Sequence, residues 1–156
     1  MIKILFICHG NICRSTMAEF VFKKMTADLG LADEFCIQSA ATSREEIGNP
    51  IHSGTQKVLR RHEVPFDDHR AVQITKADYD KFDYILTMDK QNITNALRIF
   101  GGDPSGKVRR LLSYTGEERD IADPWYSGNF DITYDDIVNG CRGFLAYLRE
   151  KGGVEF

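Results

Sequence analysis

Residues 3–16, Lys-Ile-Leu-Phe-Ile-Cys-His-Gly-Asn-Ile-Cys-Arg-Ser-Thr, place Cys8 at the end of an apolar run and Arg14 six positions further on. Ile2 to Ile7 reads as a buried strand, and Thr16-Met17-Ala18-Glu19 carries the capping-box residues of a helix start. A strand that feeds a short loop into a helix is the repeating unit of a parallel α/β sheet. It also aims backbone N–H groups and the positive helix end at whatever occupies the loop. Helix N-termini and nearby cations favour the thiolate form of a cysteine placed there. A thiolate beside an oxyanion cradle is the equipment of phosphate chemistry.

The rest of the chain continues the alternation. A helix is predicted near 15–29, where Met17, Phe20, Val21, Met25 and Leu29 make one apolar stripe and Gly30 is the stop. Phe35 to Ser39 reads as a second strand, Ile51 to His62 as a helix after Pro50, and Tyr84 to Met88 as a third strand. A helix through Ile93 and Leu97 follows, then a weaker strand, Val108 to Leu112. Residues 132–151 make the last helix, with Tyr134, Ile137, Val138, Cys141, Leu145 and Leu148 inward and Gly152-Gly153 ending it. Gly101 to Gly106 is a turn, and 113–131 a long loop of the kind that often carries function. The expected architecture is a three-layer α/β fold. Its four-stranded parallel sheet is flanked by helices, in the flavodoxin-like or Rossmann-like manner, with the phosphate loop after strand 1. Ligands of such sheets lie at the carboxyl ends of the strands, where Cys8 falls.

Composition narrows the class. The 156 residues fit a single domain over 1–156, with 42% hydrophobic and 28% charged residues. A net charge of −3 argues against a nucleic-acid binder, so the basic loop is a local feature. No apolar stretch approaches the roughly 20 residues that span a bilayer, and Met1 to Ile7 is too short for a signal-peptide core. Cysteines at 8, 13, 36 and 141 show no disulfide framework, and a required thiolate suits a reducing compartment, so the expected location is cytoplasmic. A zinc site from Cys8, His9 and Cys13 lacks a second ligand pair of suitable spacing, so no metal is expected.

Cys8-His9-Gly10-Asn11-Ile12-Cys13-Arg14-Ser15 resembles the active-site loop of the low-molecular-weight protein tyrosine phosphatases. The likeness continues in order through Ser39-Ala40-Ala41-Thr42-Ser43, Gly48-Asn49-Pro50, His69-Arg70-Ala71, Phe82-Asp83-Tyr84-Ile85-Leu86-Thr87-Met88-Asp89 and Asp123-Pro124-Trp125-Tyr126. It implies hydrolysis of phosphotyrosine in proteins, and of small aryl phosphates, through a phosphocysteine on Cys8. Arg14, with its bidentate fork, and the amides of the loop would hold the phosphate oxygens. Asp123 would be general acid and then base. His9, Gly10, Asn11, Ile12, Cys13, Arg14 and Ser15 form the candidate phosphate-binding set, and Trp125 and Tyr126 are expected to wall the cleft and stack on a phenyl ring. The resemblance also implies that Asn11, Ser15, Ser39 and His69 support the loop and that Cys13 can form a reversible disulfide with Cys8. From the residues alone, Ser39 is a strand-end serine and His69 a surface histidine. For Asp89 the resemblance implies a loop-orienting group, while the residues alone read it as an exposed helix cap. Expected partners are phosphotyrosine-containing proteins, with inorganic phosphate or another oxyanion in the site. No cofactor, nucleic acid or membrane is expected, and the chain is expected to be a monomer.

Three rival readings share parts of this pattern. Arsenate reductases of this fold relay oxidation through two further cysteines after the third strand, and Thr87 to Phe100 contains none. Arginine phosphatases of this fold carry threonine where Ile12 stands. A non-catalytic phosphotyrosine-binding module would be expected to lack the nucleophile or the acid. The chain departs from the family pattern at His9, usually apolar, at Thr16, usually proline, at Ala41, which replaces or neighbours a glycine of some relatives, and at Glu45, a rim position often held by tryptophan. These bear on substrate preference.

Overall fold

The amino-terminal run forms strand β1 (Ile2–Cys8) in the computed structural model, which describes residues 1–152 and 154–156. Its side chains alternate between two cores. Ile4, Phe6 and Cys8 join one apolar cluster, while Leu5 and Ile7 join another. From Ile4 onward the strand is buried on both faces and needs apolar residues at every position, which is why no polar alternation marks it.

The chain continues through α1 (Arg14–Asp28), β2 (Phe35–Ala41), α2 (Ser53–Arg61), α3 (Asp78–Lys81), β3 (Tyr84–Thr87), α4 (Lys90–Phe100), β4 (Val108–Arg110), α5 (Pro124–Ser127) and α6 (Phe130–Glu150). Short 3-10 turns lie at Ala32–Glu34 and Leu111–Thr115. The strands form one parallel sheet in the order β2-β1-β3-β4. Met17 and Phe22 of α1, Leu59 of α2 and Phe144 and Leu148 of α6 cover one face. Tyr79 of α3 and Ala96 and Phe100 of α4 cover the other. The three-layer arrangement is the one expected from the alternation of elements. Phe22 is the centre of the larger core, with ring centroids 6.0 Å from Phe6, 5.6 Å from Phe35 and 5.5 Å from Phe144. Each such fully buried side chain contributes roughly 1.5–3 kcal/mol. Among the described residues no helix is long and apolar enough to cross a membrane.

Several boundaries differ from the sequence expectation, each for a tertiary reason. Helix α1 starts at Arg14 with Cys13 as N-cap and no side-chain cap, so Thr16 and Glu19 do not form a capping box. Thr16 Oγ1 instead donates back to the Cys13 carbonyl at 2.9 Å, and Glu19 is buried behind the loop. Helix α2 starts at Ser53, because His52 Nδ1 accepts from Gly54 N at 2.9 Å and Pro50 is held in a bridge with Arg70. Strand β4 stops at Arg110, since Leu111 and Leu112 turn inward and Leu111 fills the notch left by Gly140 of α6. The segment 113–131 is therefore not one loop: it holds the end of a 3-10 turn, helix α5 and the first two residues of α6. Of the expected Gly152-Gly153 stop, Gly152 adopts φ +75°, and Gly153 lies outside the described residues.

Candidate active site

The loop after β1 is shaped by where its carbonyls go. Those of Cys8 and His9 accept from Thr42 N (3.0 Å) and Ser43 N (3.1 Å), and those of Ile12 and Cys13 accept from His52 N (2.9 Å) and Thr16 Oγ1 (2.9 Å). In a trans peptide the C=O of one residue and the N–H of the next point opposite ways. The amides of His9, Gly10, Cys13 and Arg14 therefore turn away from these partners and into the loop. None of them donates to another protein group among the described residues. Asn11 makes the reversal possible with φ +58°, a left-handed conformation that asparagine tolerates better than most residues. Its N–H donates to Cys8 Sγ at 3.2 Å.

Behind the loop the side chain of Asn11, with no exposed surface, is a hub. Its Nδ2 donates to Ser15 Oγ (2.8 Å) and Ser39 Oγ (2.9 Å), and its Oδ1 accepts from His69 Nε2 (2.8 Å) and Val72 N (3.2 Å). The direction at each hydroxyl follows from its second partner. Ser15 Oγ accepts from Asn11 and lies 3.0 Å from Cys8 Sγ: the thiol donates to it, and a thiolate, having no proton, accepts from it instead. Ser39 likewise accepts from Asn11 and donates to Glu19 Oε1 at 2.6 Å. Glu19 is also held by Lys23 Nζ at 2.5 Å and lies 3.7 Å from His69 Nδ1. Ser39 is thus a buried support and His69 a partly buried one. Asn11 and Ser15 stand behind the cleft wall, not on it.

Arg14 is 2% exposed, and its guanidinium is aimed by three acceptors. Nη1 donates to Asp89 Oδ2 at 2.7 Å and to the Ile121 carbonyl at 2.9 Å, while Nη2 reaches Asp123 Oδ2 at 3.5 Å. Burial works against its charge, but Cys8, Asp89 and Asp123 outweigh burial and hold its pKa above the ordinary value. Asp89 serves both roles left open by the sequence: Oδ1 accepts from Asn92 N at 2.7 Å in a capping box at the start of α4, and Oδ2 holds Arg14. Asp123 divides its oxygens in the same way. Oδ1 caps α5 through Trp125 N at 3.0 Å, leaving Oδ2 toward Arg14.

These groups close the floor of a cleft whose walls are His9, Gly10, Ile12, Cys13, Glu45, Glu46, Asp123, Trp125 and Tyr126, with Cys8 and Arg14 at its base. Trp125 and Tyr126 are 57% and 83% exposed, as aromatic rings at a mouth are. Cys13 lies on the same loop, its thiol pushed up to about 12 by burial first and then by Cys8 and Asp123. Cys141 is fully buried in the core, and Cys36 faces Lys3 near the start of β1, so neither shares the cleft. Sequence reasoning missed Glu19, Glu46, His52 and the Ile121 carbonyl. Only Glu19 carried a local signal, and its spacing from Thr16 mimicked a capping box. Among the described residues no group of three or more His, Cys, Asp or Glu could hold a metal ion.

A thiol at the carboxyl end of a parallel strand, ringed by inward amides and faced by one buried arginine and one carboxyl, defines a cysteine-centred phosphohydrolase. Residues 3–154 match the family described as low molecular weight phosphotyrosine protein phosphatase, and the chain belongs to that family of protein-tyrosine phosphatases. It is 40% identical over 153 residues to the low molecular weight protein-tyrosine-phosphatase YfkJ of Bacillus subtilis, covering 97% of this chain and 98% of that protein. The crystal structure of YfkJ superposes with a TM-score of 0.93, covering 97% of this chain and 96% of that one. The low molecular weight protein tyrosine phosphatase SP-PTP of Streptococcus pyogenes gives a TM-score of 0.86 at 40% identity, over 95% of this chain and 93% of that one. PtpA of Staphylococcus aureus is 36% identical over 156 residues, 99% of both chains.

Proposed function

We propose that the chain hydrolyses phosphotyrosine in proteins through a phosphocysteine on Cys8, with Arg14 and the inward amides binding the phosphate and Asp123 moving the proton. The observation that carries this is the convergence of Cys8, Arg14 and Asp123 on one cleft walled by Trp125 and Tyr126. The Cys8 thiolate attacks phosphorus in line, forming the S–P bond as the P–O bond to the phenol breaks. Asp123, as the acid, gives its proton to the departing oxygen. Water then attacks phosphorus, Asp123 takes its proton, and the S–P bond breaks to return the thiolate to the Ser15 hydroxyl. Arg14 Nη2 turns from Asp123 to an equatorial phosphate oxygen when substrate enters, while Asp89 and the Ile121 carbonyl keep the guanidinium in place. The positions of the other cysteines favour hydrolysis over a thiol relay: Cys36 lies five residues along β2 from Ala41, the partner of Cys8, which is roughly 16 Å of strand.

A leaving-group series tests the assignment. Asp123→Asn is expected to slow turnover by roughly 10²–10⁴-fold for poor leaving groups and least for p-nitrophenolate, which needs little protonation. Cys8→Ser is expected to be inactive while still binding vanadate. Equal losses across the series would remove Asp123 from the acid role, and an active Cys8→Ser would remove the phosphocysteine.

A further inference from the structure

Two carboxylates stand at the mouth of a site built to receive an anion. Glu45 and Glu46 both line the cleft, and both are held there. Glu45 Oε2 is bonded to His9 Nε2 at 2.9 Å. Glu46 Oε2 accepts from Asn49 Nδ2 at 2.6 Å, and its stem covers Gly10 so closely that a Cβ there would lie 3.2 Å from Glu46 Cγ. The neighbouring cation, Arg44, does not line the cleft. Even with His9 protonated, this rim carries one more carboxylate than cation. Such a rim repels a bare phosphate dianion before it meets Arg14, and a site that served only small aryl phosphates gains nothing from it. The repulsion turns to attraction when a cation travels beside the phosphate, so the same charges admit one class of substrate and reject the other.

We infer that Glu45 and Glu46 select phosphotyrosine flanked by lysine or arginine, an inference that rests on the protein-phosphatase reading above. The phosphotyrosyl ring enters past Trp125 and Tyr126, and the flanking cation settles on the carboxylates across the mouth. The preference is electrostatic and exposed, so it is screened by salt.

The test is kcat/KM on matched phosphotyrosine peptides with lysine or glutamate on both sides of the tyrosine, with p-nitrophenyl phosphate as the reference in each variant. The lysine peptide is expected to be favoured about tenfold at low ionic strength, the size expected of a few exposed charge contacts. The ratio is expected to fall toward one in the Glu45→Gln/Glu46→Gln double variant and in about 0.5 M salt. Equal kcat/KM for the two peptides in the wild type, or a ratio that survives the double substitution, would overturn the inference and leave the phosphatase reading standing. If neither peptide is dephosphorylated while p-nitrophenyl phosphate is, the protein-phosphatase reading fails, and the inference with it.

Discussion

Asp89 shows how much one side chain can carry when its two oxygens serve different masters. Oδ1 caps α4 and Oδ2 aims Arg14, so the two functions can be separated by substitution. Asp89→Asn retains a capping oxygen but loses the charge facing the guanidinium. Stability in urea is expected to fall by roughly 1–3 kcal/mol, since the cap survives but the buried Arg14 charge loses its nearest partner, and kcat falls with it. Asp89→Ala loses both and is expected to cost about 1 kcal/mol more than Asp89→Asn, the worth of the cap. Equal kcat in Asp89→Asn and wild type would reduce Asp89 to a cap. Asn11 has the same economy: its φ of +58° turns the loop while its side chain satisfies four partners. Alanine could supply neither.

At the scale of elements, the phosphate loop is seated on helix contacts distant in sequence. Phe130, the first residue of α6, packs under Ile12 and Cys13 and stacks on His52 at 5.1 Å. Gly54 of α2 makes room for it, since a Cβ there would fall 2.5 Å from Phe130 Cζ. Gly54→Ala therefore forces either the ring or the helix to move. Such overpacking is expected to cost roughly 1–3 kcal/mol in urea unfolding. Because the displaced ring supports the loop wall, KM for an aryl phosphate is expected to rise as well. Unchanged stability would show that Phe130 has a second rotamer available. Helix propensity alone predicts the opposite sign, since glycine to alanine inside a helix usually stabilises by about 1 kcal/mol.

At the scale of the whole molecule, burial governs behaviour in alkali. The thiols of Cys13 and Cys141 and the phenol of Tyr114 are all pushed up by burial, Cys13 and Tyr114 to about 12. Ordinary values are 9.0 for the thiols and 10.0 for the phenol, so above about pH 9 the unfolded chain holds fewer of these protons than the native one. Stability then falls as pH rises. The urea midpoint followed by circular dichroism is expected to decline steadily above about pH 9, and Tyr114→Phe is expected to flatten the part of the slope above about pH 10. A midpoint constant to pH 11 would refute this. The sequence by itself determined the sheet, because β1, the helices and the turns announce themselves through apolar runs, periodicity and glycine, all local properties. It also placed Cys8 and Arg14 together, because one short loop spans them. Only the tertiary structure decided that Glu19 lies behind the loop instead of capping a helix, that Asp89 and the Ile121 carbonyl aim Arg14, that Leu111 leaves the sheet to fill the notch at Gly140, and that Glu46 joins Glu45 at the mouth. Those outcomes depend on which segments far apart in sequence come to lie side by side, and no local pattern encodes the chemistry of a neighbour 75 or 107 residues away.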